Sequence, residues 1–266
     1  MTRIAIAGAA GRMGCAIVRC SRKFDGIRLV AAIEYPGCPA LGQDSGVTAG
    51  IGETGARIGL LKDLPADTDV LIDFSAASAA PENVKEAASR GIAVVLGTTG
   101  LDNSGKDTVT KAAKKIPIVW APNMSLGVNI LFSLARRTAE ILGTEYDVEI
   151  VEAHHKHKKD APSGTALRLA EEIAYGRKQK PEKVTVHGRS GITGERPKGQ
   201  IGIHAVRMGD VIGDHTVTFA IEGERINLAH MATSRDAFAM GALHAAAWVA
   251  NKRPAIYDMQ NVLGLA

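Results

Sequence analysis

Three histidines and three lysines fill six consecutive positions, His154, His155, Lys156, His157, Lys158 and Lys159, and Pro162, Ser163, Gly164 and Thr165 follow closely. Residues 146–153, ahead of this run, are β-branched and partly alternating, which predicts a strand. Behind it Ala166, Leu169, Ala170 and Ile173 recur at helical spacing. The basic run is therefore expected to be a strand-to-helix loop with Ser163 at the N-cap. The backbone N–H groups of Gly164 and Thr165 then point out of a helix N-terminus, where anions are favoured. Imidazoles, ammonium groups and a helix start in one loop suit a small anionic substrate that must accept a proton. A solvated turn, a metal site and a nucleic-acid contact compete with that role. A run of charge is often no more than a solvated turn. The histidines invite a metal, but the flanking lysines repel a cation and no carboxylate or cysteine pairs with them at a usual ligand spacing, so no metal is expected. Nucleic acid would be drawn by the lysines, but one short loop without interleaved aromatics is a weak footprint, and no nucleic-acid partner is expected.

A second group of residues sits at the start of the chain. The apolar residues 3–7 open directly into Gly8, Ala9, Ala10, Gly11, Arg12, Met13 and Gly14, and a helical pattern with Met13, Ile17 and Val18 follows. Glycines at 8, 11 and 14 are a G-x-x-G-x-x-G variant of the dinucleotide fingerprint. They serve a tight turn, a close approach of backbone to pyrophosphate, and helix–strand packing. Residues 28–33 read as the next strand, and Glu34 at its end stands where an acid meets ribose hydroxyls. The alternative is a glycine-rich turn beside an ordinary surface glutamate.

The elements that must position these residues follow from the pattern. Strands are expected at 69–74, 92–96 and 116–120, with helices at 81–90 and 102–115 between them. Residues 36–62 are rich in glycine and poor in periodic apolar residues, and read as a long surface excursion. Alternation of strand and helix means a doubly wound parallel sheet, whose ligands sit off the carboxyl ends of the strands. Gly97, Thr98 and Thr99 lie at one such end, and Ala121, Pro122, Asn123 and Met124 at another; each segment alone is also an ordinary βα turn. A long amphipathic helix, 125–142, follows, and then the pattern changes. Strands are expected at 147–153, 183–187, 201–207, 215–221 and 225–232, with a hairpin at 222–224 and a final helix from a Ser234 cap to Trp248. The fold class expected is α/β: an N-terminal Rossmann-like doubly wound parallel sheet plus a second α+β domain with an open mixed sheet. The dinucleotide domain spans 1–125 and the second domain 126–234.

Composition sets outer bounds. The chain has 266 residues, is 45% hydrophobic, and carries 32 basic against 28 acidic residues for a net charge of +4, without the imbalance of a dedicated nucleic-acid binder. Cys15, Cys20 and Cys38 form no C-x-x-C pair and fit a reducing, cytoplasmic setting. No apolar run reaches the length of a membrane span, and the apolar part of the N-terminus is short for a signal peptide. Apolar residues such as Val184, Val186, Ile201, Ile203, Val217 and Phe219 in a sheet with few helices imply an open face that another subunit must bury.

Taken together, the segments 8–14, 73–75, 97–100, 121–127, 152–158 and 160–165, with Gly194-Glu-Arg196 and Tyr257-Asp-Met259, closely resemble the 4-hydroxy-tetrahydrodipicolinate reductase (dihydrodipicolinate reductase) family of lysine and diaminopimelate synthesis. The E-A-H-H-x-H-K segment followed by D-A-P-S-G-T is highly specific to it. The resemblance implies a nucleotide domain to which the last helix, within 235–266, returns, and a second domain that binds substrate and forms a homotetramer. It implies hydride transfer from NADH or NADPH to a cyclic unsaturated dicarboxylate. His154 matches the family's proton donor/acceptor and Lys158 its proton donor. His155, Gly164 and Thr165 match substrate contacts, with Ser163 beside them. Residues 8–13, Glu34, 97–99 and 121–124 match cofactor contacts. Family members often carry Arg after the acid at position 34; here it is Tyr35, which brings no positive charge, so NADH is expected to serve at least as well as NADPH, with Arg12 the one nearby cation. Reference pKa values favour His154 as the group that delivers the proton and Lys158 as the fixed charge, although burial beside other cations can make a lysine the direct donor. Two alternatives stand beside this function: another two-domain nicotinamide dehydrogenase, and a non-catalytic NAD(P)-sensing protein. A semialdehyde dehydrogenase would need a nucleophilic cysteine in the second domain, and all three cysteines precede residue 40.

Overall fold

Apolar four-residue runs punctuated by glycine turns become strands buried on both faces, as parallel pairing demands. The structure, a computed structural model, describes residues 1–265. Its elements are, in order, β1 (Thr2–Ala7), α1 (Arg12–Ser21), β2 (Ile27–Ile33), α2 (Ser45–Thr48), β3 (Ile58–Gly59), β4 (Val70–Asp73), α3 (Ala80–Ser89), β5 (Ala93–Leu96), α4 (Asn103–Ala112), β6 (Pro117–Trp120) and α5 (Leu126–Leu142). They continue with β7 (Asp147–His154), α6 (Gly164–Gly176), α7 (Pro181–Val184), β8 (Thr185–His187), β9 (Ile201–Arg207), β10 (Gly213–Ile221), β11 (Glu224–Ala232), α8 (Asp236–Val249), β12 (Ala255–Tyr257) and α9 (Met259–Leu263). Contacts divide the chain into two units, Met1–Leu126 with Arg235–Ala266, and Gly127–Ser234.

The first unit is built on a seven-stranded sheet of order β12-β6-β5-β4-β1-β2-β3, parallel throughout. Its order reverses between β1 and β4, the switch point at which α/β sheets bind ligands. Side chains alternate across β1. Ile4 and Ile6 pack with Ile17 of α1 and Leu243 of α8, while Ala5 and Ala7 pack with Val84 of α3 and Val109 of α4. Besides α2 and β3 within 36–62, two short pieces of this unit are not legible as elements in the sequence: the three-residue β12 on the far edge and α9 after it.

Local chemistry moves several boundaries. The glycine-rich stretch 36–62 is ordered around one side chain. Asp44 Oδ1 accepts from the N–H groups of Gly46 (2.7 Å) and Thr54 (2.9 Å), and Oδ2 from that of Gly55 (2.8 Å). The Thr54 N–H heads the hydrogen bonds that hold this carboxyl down at about 2. The excursion thereby delivers β3 to the sheet edge. The final helix begins at Asp236, with Arg235, itself in helical conformation, between it and Ser234. Lys183 and Val184 belong to α7, which Pro181 starts, and only residues 185–187 form a strand.

The second unit is a five-stranded mixed sheet of order β11-β10-β7-β9-β8. β7, β9 and β8 run parallel, while β10 is antiparallel to both β7 and β11. Period-two alternation decides the two faces. Val148 and Ile150 of β7, Ile201 and Ile203 of β9, and Val217 and Phe219 of β10 are buried with Leu169 and Ile173 of α6 and Phe132 of α5. Four of the apolar residues expected on an open face, Ile201, Ile203, Val217 and Phe219, are thus covered within the unit itself. The other face carries Val151, Val206 and Met231, exposed to 42%, 38% and 67%.

Candidate active site

In the first unit the glycine turn is fixed by close backbone contacts. Gly8 has φ +76°, and a Cβ there would stand 2.6 Å from the Phe74 carbonyl oxygen. A Cβ on Gly14 would overlap the Gly8 carbonyl, and one on Gly11 would lie 3.1 Å from it. A side chain at any of the three would fill or distort the cradle. α1 starts at the N-cap Gly11, with no side-chain cap, so its first N–H groups face the turn. Glu34 lies one residue past β2 and reaches back, its Oε1 accepting from the Ala10 N–H at 2.9 Å.

A cavity of about 1020 Å³ opens here, lined among others by Gly8, Ala10, Gly11, Glu34, Phe74 and Ser75. Lys62, from the 3₁₀ turn after β3, also lines it. The sequence does not mark that cation, which stands far beyond Glu34 in the glycine-rich excursion. Gly97, Thr98 and Thr99 follow β5, and Ala121, Pro122, Asn123 and Met124 follow β6, at the same carboxyl edge but outside this cavity's lining. Asp73 ties that edge together. Its Oδ1 accepts from the hydroxyls of Ser75 (2.7 Å) and Thr98 (2.8 Å), and its Oδ2 from the Asn83 amide (2.8 Å). Asp73 is fully buried, and the sequence shows it only as one member of a motif.

In the second unit His154 ends β7, and the basic run after it is a loop leading to α6. Lys158 is a partly buried cation, its Nζ 2.9 Å from Asp160 Oδ2. His155 Nδ1 is buried with no hydrogen-bond partner, an orphan polar atom within the loop. Ser163 is the N-cap of α6, its Oγ accepting from the Ala166 N–H at 3.2 Å and lying 3.0 Å from His215 Nε2. That hydroxyl is 2% exposed and engaged on both sides, so it orients the helix start instead of reaching outward. At Gly164 a Cβ would meet nothing within 4 Å, which leaves open space in front of the helix N-terminus.

Three residues of this site have no role legible in the sequence. Glu152, fully buried on β7, accepts from His154 Nδ1 at 2.6 Å and from Arg207 of β9 through two bonds of 2.8 Å. Burial alone would raise its carboxyl, but Arg207, His154 and the Ser163 N–H together hold it below the ordinary carboxylate value. Arg207 lies directly across from His154 in the parallel register, and His215 of β10 across from Glu152. The His154 and His215 rings meet edge to face at 5.3 Å. Burial lowers the His154 imidazole, Lys158 and Arg207 add to this, and Glu152 opposes it. Burial, then the neighbouring His154, pushes His215 down to about 4, so it is neutral near pH 7. No period or spacing relates residues 152, 207 and 215; only the strand register brings them together. Among the described residues no group of three or more His, Cys, Asp or Glu is arranged to hold a metal ion. Among the same residues no helix is long and apolar enough to cross a membrane.

The relatives of the chain agree with this two-part arrangement. The family described as "Dihydrodipicolinate reductase, N-terminus" matches residues 2–124, and "Dihydrodipicolinate reductase, C-terminus" matches residues 127–263. The 4-hydroxy-tetrahydrodipicolinate reductase of Anaeromyxobacter dehalogenans (strain 2CP-C) is 49% identical, with 100% of this chain and 98% of the relative covered. That of Magnetococcus marinus is 45% identical, with 98% of each covered. A dipicolinate-bound dihydrodipicolinate reductase from Paenisporosarcina sp. TG-14 superposes with a TM-score of 0.74 at 26% identity, covering 97% of both chains. The chain belongs to the dihydrodipicolinate reductase family.

Proposed function

We infer that the chain catalyses the reduction of 4-hydroxy-tetrahydrodipicolinate to tetrahydrodipicolinate by a reduced nicotinamide nucleotide, in lysine and diaminopimelate biosynthesis. Membership of the family through both halves supports the reaction. One observation carries the site: a buried carboxylate–imidazole pair, Glu152 and His154, beside the open N-terminus of α6.

The unit 1–126 with 235–266 is the nucleotide domain in this reading, and 127–234 the substrate domain. The residues present fit a dinucleotide, since the cradle at Gly8, Gly11 and Gly14 has no room for Cβ atoms and Glu34 offers a carboxylate for ribose. Ala9, Ala10, Arg12 and Met13 complete the turn, while residues 97–99 and 121–124 serve the cofactor further along the strand ends. When bound, the nicotinamide supplies the hydride. His154 delivers the balancing proton to the reducing carbon framework. Lys158 holds the charge that develops there, and the N–H groups of Gly164 and Thr165, with His155, receive a carboxylate. Ser163 contributes by setting that helix start.

NADH serves at least as well as NADPH in this reading, because Glu34 repels a 2′-phosphate and Tyr35 offers no offsetting charge; Lys62 of the cavity lining, and Arg12 at the start of α1, are the cations through which NADPH can still bind. The protein works as a homotetramer assembled through the second unit, in the cytoplasm. Consumption of NADH absorbance on mixing with freshly generated substrate tests the reaction. Absence of turnover with intact nucleotide binding would favour a non-catalytic NAD(P)-sensing protein.

A further inference from the structure

Glu152 has two oxygens and four donors. Oε2 receives His154 Nδ1 at 2.6 Å and Arg207 Nη1 at 2.8 Å, while Oε1 receives the Ser163 N–H at 2.9 Å and Arg207 Nη2 at 2.8 Å. One fully buried side chain therefore touches both halves of the candidate site: the imidazole, and the residue that caps α6. Arg207 also donates to the Asp160 carbonyl at 2.7 Å, which ties the end of the basic loop to the same centre.

The consequence for His154 follows from donor and acceptor roles. An ionised carboxylate only accepts, so the Nδ1 it faces must carry a proton. Proton exchange is then left to Nε2. That atom is turned toward Gly213 at the start of β10, where a Cβ would stand only 3.0 Å away. Glycine there keeps the exchanging nitrogen uncovered. A carboxylate buried this deeply needs a bound counter-charge, and the bidentate Arg207 provides it.

We propose that Glu152, backed by Arg207, is the positioning residue of this site: it fixes His154 with a proton on Nδ1, leaves Nε2 as the nitrogen that gives and regains the catalytic proton, and holds the Ser163 end of α6 in register with that nitrogen. The proposal rests on the reading of His154 as the group that delivers the proton. In the step itself, the Nε2–H bond breaks with its electron pair retained on the ring, and the proton joins the substrate atom that gains negative charge from the hydride of the reduced nicotinamide. His154 returns to the neutral ring with Nδ1–H still bound to Glu152, and solvent restores the proton.

Glu152→Gln is the informative variant. Oε1 faces two obligate donors, the Ser163 N–H and Arg207 Nη2, whereas Oε2 faces one, Arg207 Nη1, and the tautomerisable His154 Nδ1, so the amide oxygen takes the Oε1 place and the amide NH₂ faces His154, at the cost of the acceptor for Arg207 Nη1. An NH₂ donating to Nδ1 moves the neutral ring's proton to Nε2 and opposes the imidazolium. The charged and titratable groups around His154 are Glu152 on its own strand, Arg207 on β9, His215 on β10 with His230 on β11 behind it, and Lys158 and Asp160 in the loop. Of these only Glu152 changes in the variant.

Nitrogen-15 spectra of the wild-type protein are expected to show neutral His154 protonated at Nδ1, and Glu152→Gln to move the proton to Nε2. The variant lowers kcat by about 10–100-fold, the scale lost when the partner that orients a metal-bound histidine is removed, taken here for an orienting partner without a metal. The limb of the rate profile that falls with rising pH moves to lower pH. In a His154→Gln background the same substitution costs no further activity, because Glu152 acts through the ring. Glu152→Asp keeps an acceptor and restores the Nδ1–H form.

A wild-type ring protonated at Nε2 overturns the proposal whether or not the variant folds. So does an equal loss of rate from Glu152→Gln with and without His154, which marks a purely structural role. Full activity in His154→Gln would instead overturn the reading of His154 as proton donor, an outcome separate from the tautomer measurement.

Discussion

At the scale of single residues, His154 and Lys158 lie in different environments. His154 is buried against Glu152, and its imidazole sits below the ordinary histidine value, with burial the main cause. Lys158 stays paired to Asp160 near the surface. His154→Gln is expected to lower kcat by about 10²–10⁴-fold with KM for the dicarboxylate comparatively intact, as loss of general acid catalysis predicts. Lys158→Ala should damage both constants, since ground-state and transition-state charge contacts vanish together. The sign of the pH effect is fixed by the lowered His154 value. The protonated donor is lost as pH rises through that value, so kcat/KM falls on the alkaline side of a point lower than that of an ordinary histidine. A bound dicarboxylate adds negative charge beside the ring and raises that point, so the limb in kcat should lie at higher pH than the limb in kcat/KM. The reverse pattern, a pH limb abolished in Lys158→Ala and kept in His154→Gln, would make the lysine the donor. Cofactor choice is argued at the same scale. Lys62 shares the cavity with Glu34, so Lys62→Ala should reduce kcat/KM for NADPH several-fold more than for NADH. Equal effects on the two would remove Lys62 from the specificity argument.

At the scale of elements, what decides each site is how a turn joins its strand. In the first unit the turn from β1 to α1 is held by the backbone contacts of Gly8 and Gly14. Gly14→Ala places a methyl group into the Gly8 carbonyl and within 2.6 Å of the Ala9 backbone. The helix-propensity gain of alanine is smaller than this overlap, so the variant should lose about 1–3 kcal/mol of stability and bind NADH at least tenfold more weakly. Thermal unfolding and cofactor fluorescence measure the two effects. That turn is legible in the sequence because its three glycines, the helix and Glu34 are local and in fixed spacing. The Ser163 cap and the loop-to-helix junction are legible for the same reason. Glu152, Arg207 and His215 are not, because their meeting depends on β9 and β10 flanking β7 in one register, and a single sequence carries no signal for which strands pair. The excursion 36–62 is legible only as a long surface stretch, and its internal order is not. Its glycines carry no periodic signal, yet they bend the chain around the Asp44 carboxylate, which accepts four backbone or hydroxyl donors on one oxygen and another N–H on the second. β12 escapes notice because three residues are too few to show a period.

At the scale of the whole molecule, the second unit has two sheet faces with different fates. The helix-covered face buries Val148, Ile150, Ile203, Val217 and Phe219, so the demand for a partner cannot come from them. It comes from the opposite face, where the apolar Val151, Val206 and Met231 lie among threonines of β10 and the ion-paired Glu149. On that face the loop 188–200 is pinned by charge. Glu149 receives Arg189 at 2.9 Å, Arg196 at 3.0 Å and His204 at 2.7 Å, and these partners overcome its burial to hold the carboxyl at about 2. A depressed folded value contributes stability above the unfolded carboxylate range that is lost as pH falls from about 4.3 toward the folded value. Glu149→Gln should therefore flatten the acid side of a melting-temperature profile below about pH 5 and leave the alkaline side unchanged. The same pins make the face suitable for assembly, since a fixed loop beside exposed apolar side chains forms a surface whose ordering cost is already met within the subunit. A homotetramer is expected in solution, built through this face. Light scattering at working concentration should return four times the 27.9 kDa chain mass. Replacing Val151 and Val206 with lysine places like charges across any self-pairing contact of the face, which costs several kcal/mol where two copies meet. The double variant should then sediment as a smaller species with its circular dichroism unchanged. A wild-type monomer, or a tetramer indifferent to both lysines, would move assembly away from this sheet face.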